Sequence, residues 1–255
     1  MLRIIATYLA LGSTALAAPA VAKAPCERDF LKAQAAAYIA AQVAGKVDTL
    51  QTASSLVYTE NFKNASLPTG ILATALRIDY NRTLYDSTQC ATYTELITTQ
   101  TGANHVIGTQ MYFADGALSK METIVTSTGD WLFNATGTLR YASAESWTEI
   151  PVEKRDTRAA IQAAGDAYLD LFNDKSVKVP WGNPCARLEG GAYLQPDCNV
   201  GVPSGIRNTN RRYVIDEVLG SVDIFFTFAG NLPDSHEFRV EGGKLRYVHT
   251  MTVMN

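Results

Sequence analysis

The strongest constraint on this chain's fold is that part of it occurs twice. Phe113-Ala-Asp-Gly-Ala-Leu-Ser-Lys-Met-Glu-Thr-Ile-Val-Thr126 aligns with Val240-Glu-Gly-Gly-Lys-Leu-Arg-Tyr-Val-His-Thr-Met-Thr-Val253 at a constant offset of 127 residues. Gly116 falls on Gly243, Leu118 on Leu245 and Thr123 on Thr250. Self-similarity at a fixed offset marks one supersecondary unit used twice. Each unit opens with a helical pattern. Phe30 to Val47 is alanine-rich, carries Leu31, Ala35, Tyr38 and Val43 near helical spacing, and ends around Gly45. In the second unit Asp156-Thr157 can cap a helix whose apolar face holds Ile161, Ala164, Tyr168 and Leu171.

An irregular segment follows each helix, and strand-like runs follow that segment. In the first unit they are Leu76–Tyr85, Thr92–Thr99, Val106–Phe113 and Leu118–Thr126, with Trp131–Tyr141 as an extra strand. In the second they are Arg212–Leu219, Val222–Phe228, Glu237–Glu241 and Lys244–Val253. A helix followed by a long meander predicts an α+β layer, with the helix packed on a curved antiparallel sheet. The expected organisation is a leader over residues 1–22, a first repeat over 26–150 and a second over 155–255.

The leader reads as a secretory signal. Arg3 supplies a short positive region, Ile4 to Leu16 is too short to span a bilayer, and Ala15-Leu16-Ala17 suits signal peptidase. A second candidate cleavage site is Ala20-Val21-Ala22. No later stretch approaches the ~18 apolar residues of a membrane helix. Three Asn-x-Ser/Thr sequons, at Asn64, Asn81 and Asn134, point to a glycosylated secreted protein. Four cysteines follow the leader and allow three disulfide pairings. Cys26–Cys90 with Cys185–Cys198 is favoured because each pair then stays within one repeat. Zinc is the rival reading, but Cys-x-x-Cys is absent. A net charge of −3 without a basic run argues against nucleic acid and anionic membranes, leaving small molecules or proteins as partners.

Three further segments carry a resemblance: Val179-Pro-Trp-Gly-Asn-Pro-Cys-Ala-Arg-Leu-Glu-Gly-Gly191, Arg211-Arg-Tyr-Val-Ile-Asp-Glu-Val-Leu-Gly220 and Pro233-Asp-Ser-His-Glu-Phe-Arg239. They are similar to secreted fungal proteins described as ketosteroid-isomerase-like or SnoaL-like. Proteins of similar type occur in secondary-metabolite pathways, including those that join maleic-anhydride monomers into maleidrides. The resemblance implies two tandem cones of the kind shared by ketosteroid isomerases, SnoaL-type cyclases and scytalone dehydratase, a pseudo-dimer in one chain. It says less about the reaction, because one such fold hosts many chemistries.

The candidate chemistry centres on the second hairpin. A two-residue Gly242-Gly243 loop pairs Glu241 with Lys244, Val240 with Leu245, Phe238 with Tyr247 and His236 with His249. The two histidines are then expected opposite each other on an apolar face with Phe238, Val240, Leu245, Tyr247 and Met251, while Glu237, Arg239 and Glu241 face solvent. Burial and a second imidazole would lower their pKa values and leave a neutral base, His249 being the deeper. The plainer reading is a pair of structural histidines at the sheet edge. At the position of His249 the first repeat has Glu122, and at that of His236 it has Thr109.

Arg187 is a candidate oxyanion clamp oriented by Glu189, or half of an ion pair pinning its loop beside Cys185. Gly190-Gly191 permits a close backbone approach or a sharp turn. Asp216, beside apolar neighbours, is a candidate acid or base, and Tyr168 and Tyr38 are candidate donors to an enolate oxygen, or simply core. Two histidines with Asp216 could ligate a metal, but their spacing is not diagnostic. Dinucleotide, phosphate-loop, esterase and zinc-protease motifs are absent from the sequence. The expectation is a cofactor-independent isomerase or cyclase acting on a small carbonyl-rich metabolite. The alternative is a non-catalytic secreted protein that binds a small molecule or a host partner.

Overall fold

The computed structural model describes residues 26–254, so the leader lies outside the described residues. The first repeat runs α1 (Arg28–Ala44), β1 (Thr52–Glu60), β2 (Lys63–Asn64), β3 (Tyr80–Asp86), β4 (Ala91–Thr98), β5 (His105–Ala114) and β6 (Ala117–Thr126). A linker carries α2 (Ala135–Ala142). The second repeat runs α3 (Arg158–Asp170), β7 (Trp181–Glu189), β8 (Ala192–Leu194), β9 (Thr209–Asp216), β10 (Ser221–Phe228), β11 (Leu232–Glu241) and β12 (Lys244–Thr252). The helices start and stop where their residues dictate. Gly45 ends α1 in the left-handed conformation, and the Thr157 side chain accepts from Ala160 N to cap α3.

The strand orders are β2-β1-β6-β5-β4-β3 and β8-β7-β12-β11-β10-β9, the same topology twice. The fold is α+β with two sheet-plus-helix repeats in tandem. Each sheet is mixed, however, rather than antiparallel throughout: β1 pairs in parallel with β6, and β7 with β12. These two strands fall in the segments expected to be irregular. Pro184 inside β7 reads as a strand breaker, and β1 is half-exposed and rich in serine and threonine. The expected extra strand over 131–141 is instead α2, capped by Asn134 Oδ1 accepting from Gly137 N.

The layers stack as helix, sheet, sheet, helix. α1 lays Leu31, Tyr38 and Ala41 on Ile107, Met111 and Met121 of the first sheet. α3 lays Ile161, Ala164 and Tyr168 on Ile224, Phe238 and Val248 of the second. Between the sheets lie Tyr93, Ile97, Ile124, Val214, Phe225 and Met251. The inner strands are therefore covered on both faces, and every residue of β4 is buried.

A bulge corrects the expected hairpin register. Glu241 pairs with Lys244 and Val240 with Leu245, but then Arg239 pairs with Tyr247, Phe238 with Val248, Glu237 with His249 and His236 with Thr250. Arg246 is the extra residue. The first repeat carries the same bulge: Phe113 pairs with Leu118 and Tyr112 with Lys120, leaving Ser119 extra. A one-residue shift on one strand exchanges the faces its side chains occupy. His236 therefore joins Phe238 and Val240 on the α3 side, and His249 joins Glu237 and Arg239 between the sheets. The two histidines do not face each other. Glu237 and Arg239, expected in solvent, are buried.

Two ion pairs lock the repeats by exchange. Arg28 at the start of α1 makes a bidentate pair with Asp216 at the end of β9, at 2.8 and 2.9 Å. Arg158 at the start of α3 grips Asp86 at the end of β3, at 2.8 and 2.6 Å. Both carboxylates are fully buried and accept backbone N–H groups too, Asp216 from Tyr85, Val218 and Leu219.

Cys26 is bonded to Cys90 and Cys185 to Cys198, as fits an oxidising compartment. Asn64, Asn81 and Asn134 are all exposed, the first two on the opposite edge strands β2 and β3. Among the described residues no helix is long and apolar enough to cross a membrane.

Arg158→Ala leaves the Asp86 carboxylate buried without its cation. We expect a loss of about 2–4 kcal/mol in urea unfolding. The Arg158→Ala/Asp86→Ala double variant should lose less than the sum of the two single losses.

Candidate functional site

Alternation along β11 puts Asp234 and His236, two residues apart, on the same face of the sheet. Asp234 Oδ1 lies 2.8 Å from His236 Nδ1, and its Oδ2 accepts from Thr252 Oγ1 at 2.7 Å. The carboxylate thus selects the tautomer with hydrogen on Nδ1, leaving the Nε2 lone pair free. Burial pushes the Asp234 carboxyl up, opposed by the His236 and Thr252 contacts. Tyr168, Phe226 and Phe238 surround the imidazole at ring-centroid distances of 5.5, 5.1 and 5.8 Å and fix its plane.

His236 opens on a cavity of about 180 Å³ inside the second repeat. Phe172, Val202, Pro203, Phe228 and Leu232 form apolar walls, and Trp131 and Met254 contribute at the mouth. Tyr168, Arg187, Glu189, Gly201, Asp234, Thr250 and Thr252 complete the lining. Arg187 Nη1 donates to the Tyr168 hydroxyl at 3.2 Å and to the Cys198 carbonyl at 3.3 Å. Its Nε lies 3.2 Å from Glu189 Oε2, and Glu189 Oε1 accepts from Trp131 Nε1 at 2.7 Å. Burial raises the Tyr168 hydroxyl to about 12 against the opposing pull of Arg187, so it is a neutral donor at physiological pH. The Cys185–Cys198 bond fastens to β7 the segment that carries Val202 and Pro203.

Gly190 and Gly191 serve the site indirectly. Both have positive φ, and a Cβ on either would collide with a carbonyl of the linker, at Trp131 or Asn134. The close approach they permit is of the linker backbone, which brings Trp131 to the cavity.

Four of the six candidate residues therefore meet in one place: His236, Arg187, Glu189 and Tyr168. The first repeat keeps the frame and lacks the chemistry. Tyr58 and Glu60 hold the strand positions of Arg187 and Glu189, judged by their pairing with the last strand of each repeat. Thr109 replaces His236 and bonds the Tyr38 hydroxyl at 2.8 Å. Ile107 and Val125 stand where Asp234 and Thr252 stand, and the segment bearing Ile71 and Leu72 fills the interior, its Ile71 N–H donating to Glu60.

His249 belongs to a different environment. Its Nε2 lies 2.7 Å from Glu145 and its Nδ1 3.1 Å from Glu95. Beside it Arg82 donates to Glu237 and, at 2.9 Å, to Glu95, with its guanidinium 3.8 Å over the Trp147 ring. Burial alone would lower the His249 pKa, but Glu145 and Glu95 outweigh it and hold the value at about 9. The neutral base expected here is instead an imidazolium. Glu95 is held down at about 2 despite its burial, by Arg82 and His249. Across the strand from Glu237, burial lifts the Asp223 carboxyl far above its ordinary range.

Glu95, Glu237 and His249 are spaced as metal ligands could be, within 4.8 Å, but Arg82 already bonds both carboxylates and supplies the cation there. Glu122, at the equivalent position in the first repeat, is likewise buried and pairs with Arg212 at 3.0 Å. Asp216 is occupied by Arg28 and three backbone N–H groups, which leaves it no role as a free base. A metal site from both histidines and Asp216 is excluded by these separate placements.

Sequence reasoning missed Asp234 and Thr252. The signal for Asp234 was available in Asp234-Ser-His236, since a two-residue spacing on a strand shares one face. Arg82 and Glu95 face each other across β3 and β4, but Glu145, Glu237 and His249 join them only when the second sheet and the linker pack on the first.

Residues 154–252, the second repeat from just before α3, match a sequence family described as a domain of unknown function, DUF8021. Comparison with curated proteins finds no match.

The His249 pKa stands above its ordinary 6.5, so its stabilisation is complete below about pH 6.5 and disappears as pH rises through about 9. The shift corresponds to on the order of 3 kcal/mol. Urea unfolding between pH 6 and 10 should show this loss, and His249→Gln should flatten it. Glu95 acts at the other end, its contribution fading as pH falls from about 4.5 toward 2.

Proposed function

We propose that the second repeat is a cofactor-independent acid–base enzyme of the isomerase or cyclase type, acting on a small carbonyl compound in its cavity. The observation that carries this reading is the Asp234–His236 pair on the wall of a mostly apolar chamber. His236 Nε2 takes a proton from the carbon beside the substrate carbonyl, and the C–H electron pair moves into an enolate. The Tyr168 hydroxyl donates to the enolate oxygen, polarised by Arg187. Asp234 stabilises the imidazolium that forms. Returning the proton to another carbon gives isomerisation; attack of the enolate on a second carbonyl, whose π bond breaks and whose oxygen takes the proton from His236, gives cyclisation or coupling.

This reading moves the base from His249 to His236 and removes Asp216, while Arg187, Glu189 and Tyr168 keep the roles expected of them. The repeated helix-on-sheet unit with an interior cavity supports the cone-like fold that the resemblance implies. Coupling of maleic-anhydride monomers is its most specific form and rests on the resemblance. The two disulfides and exposed sequons support a secreted protein.

Hydrogen–deuterium exchange of small enolisable ketones, followed by NMR in D2O, tests the reaction. Wild type should accelerate exchange, and His236→Gln should remove roughly 10²–10⁴-fold of that rate. Asp234→Asn should also slow it, whereas His249→Gln should reduce stability first. Ligand binding without exchange in wild type would instead favour the non-catalytic binding protein.

A further inference from the structure

The charges around the cavity say what kind of molecule it accepts. Arg187 is 5% exposed, and a buried guanidinium without a counter-charge would cost several kcal/mol. Glu189 supplies that counter-charge at 3.2 Å. Asp234 is likewise committed, to His236 and Thr252. The wall therefore has one cation, two carboxylates and an imidazole, and no positive charge to spare.

It does have hydrogen-bonding capacity to spare. Among the described residues Arg187 Nη2 makes no hydrogen bond, and it lies on the side of Gly201, which also lines the cavity. The Tyr168 hydroxyl accepts from Arg187, so its own proton remains available. The two donors are adjacent, since Nη1 of the same guanidinium holds the Tyr168 oxygen. They suit two acceptor oxygens a few bonds apart on one ligand.

We infer that the substrate is an uncharged dicarbonyl compound with an apolar body, and that the Arg187–Glu189 pair excludes the corresponding carboxylate. One carbonyl oxygen meets Tyr168 and the second meets Arg187 Nη2, and the carbon between them faces His236. An anion in the same place would lose its hydration and meet Glu189 and Asp234 on the same wall as Arg187. A neutral carbonyl has far less hydration to lose. This inference rests on the catalytic reading above and names its substrate class.

The test uses two probes of nearly the same shape at pH 6.5, benzoylacetone and benzoylacetate, which differ by a methyl in place of a carboxylate oxygen. Binding to the full chain is read by calorimetry and by Trp131 fluorescence. Wild type should bind the neutral diketone at least about tenfold more tightly, about 1.4 kcal/mol. Glu189→Gln, which frees the Arg187 charge, should tighten benzoylacetate at least about tenfold. Equal or tighter wild-type binding of benzoylacetate overturns the inference, as does an unchanged ratio in folded Glu189→Gln or binding of neither probe. His236→Gln separates the two claims. Loss of exchange with the binding preference kept supports both, whereas a kept preference without any wild-type exchange overturns the reaction and leaves the recognition standing.

Discussion

The one-residue bulge beside each long hairpin turn decides what every side chain beyond it can do. Without it, His236 and His249 would share a face and Glu237 and Arg239 would point together to the other. With it, the α3 side of β11 and β12 carries Phe238, Val240, Leu245 and Val248 and ends in the Asp234–His236 pair. The other side carries Glu237 and His249 into the layer between the sheets. The bulge at Arg239/Val240 corresponds to that at Tyr112/Phe113, so it belongs to the repeated unit. What differs between the repeats is the chemistry placed on the shared frame.

That difference is concentrated where the interior of each unit ends. In the first repeat Thr109, Ile107 and Val125 give a short hydroxyl and two aliphatic groups, and the chain after β2 returns to fill the space with Ile71 and Leu72. In the second, the polar His236, Asp234 and Thr252 occupy those positions. The segment after β8 is held at its base by Cys185–Cys198, and it roofs the space without filling it. One copy has become a packed brace; the other keeps a chamber. The crossed Arg28–Asp216 and Arg158–Asp86 pairs then hold the chamber's sheet against the brace.

Much of this was legible in the sequence, for identifiable reasons. Helices α1 and α3 follow from apolar spacing and their ends, and eight of the longer strands from alternation and turn residues. β1 and β7 were hidden because each pairs in parallel with the last strand of its repeat, far along the sequence, while its antiparallel neighbour β2 or β8 is only two or three residues long. The cavity residues Arg187, Glu189, Tyr168 and His236 could be named individually, but a two-residue register argument could not see Ser119 and Arg246 as extra residues. His249 was misread because its pKa depends on Glu95 and Glu145, more than 100 residues away.

The layer between the sheets contains more charge than a core needs for stability alone. Replacing a buried ionic cluster with packed apolar residues is often neutral or stabilising, so its presence calls for another explanation. Two sheets of the same topology, with apolar faces, could slide across each other or pair with a second copy of the chain. Arg82 bridges the sheets at one position, where Glu237, Glu95 and the Trp147 ring converge. Any slip would bury a guanidinium and several carboxylates without partners. Glu145 and Trp147 come from the linker, so the same cluster fixes the path that places Trp131 at the cavity mouth. The histidine without access to the cavity thus contributes to its shape: His249 secures the linker and the sheet register, and His236 faces the space they define.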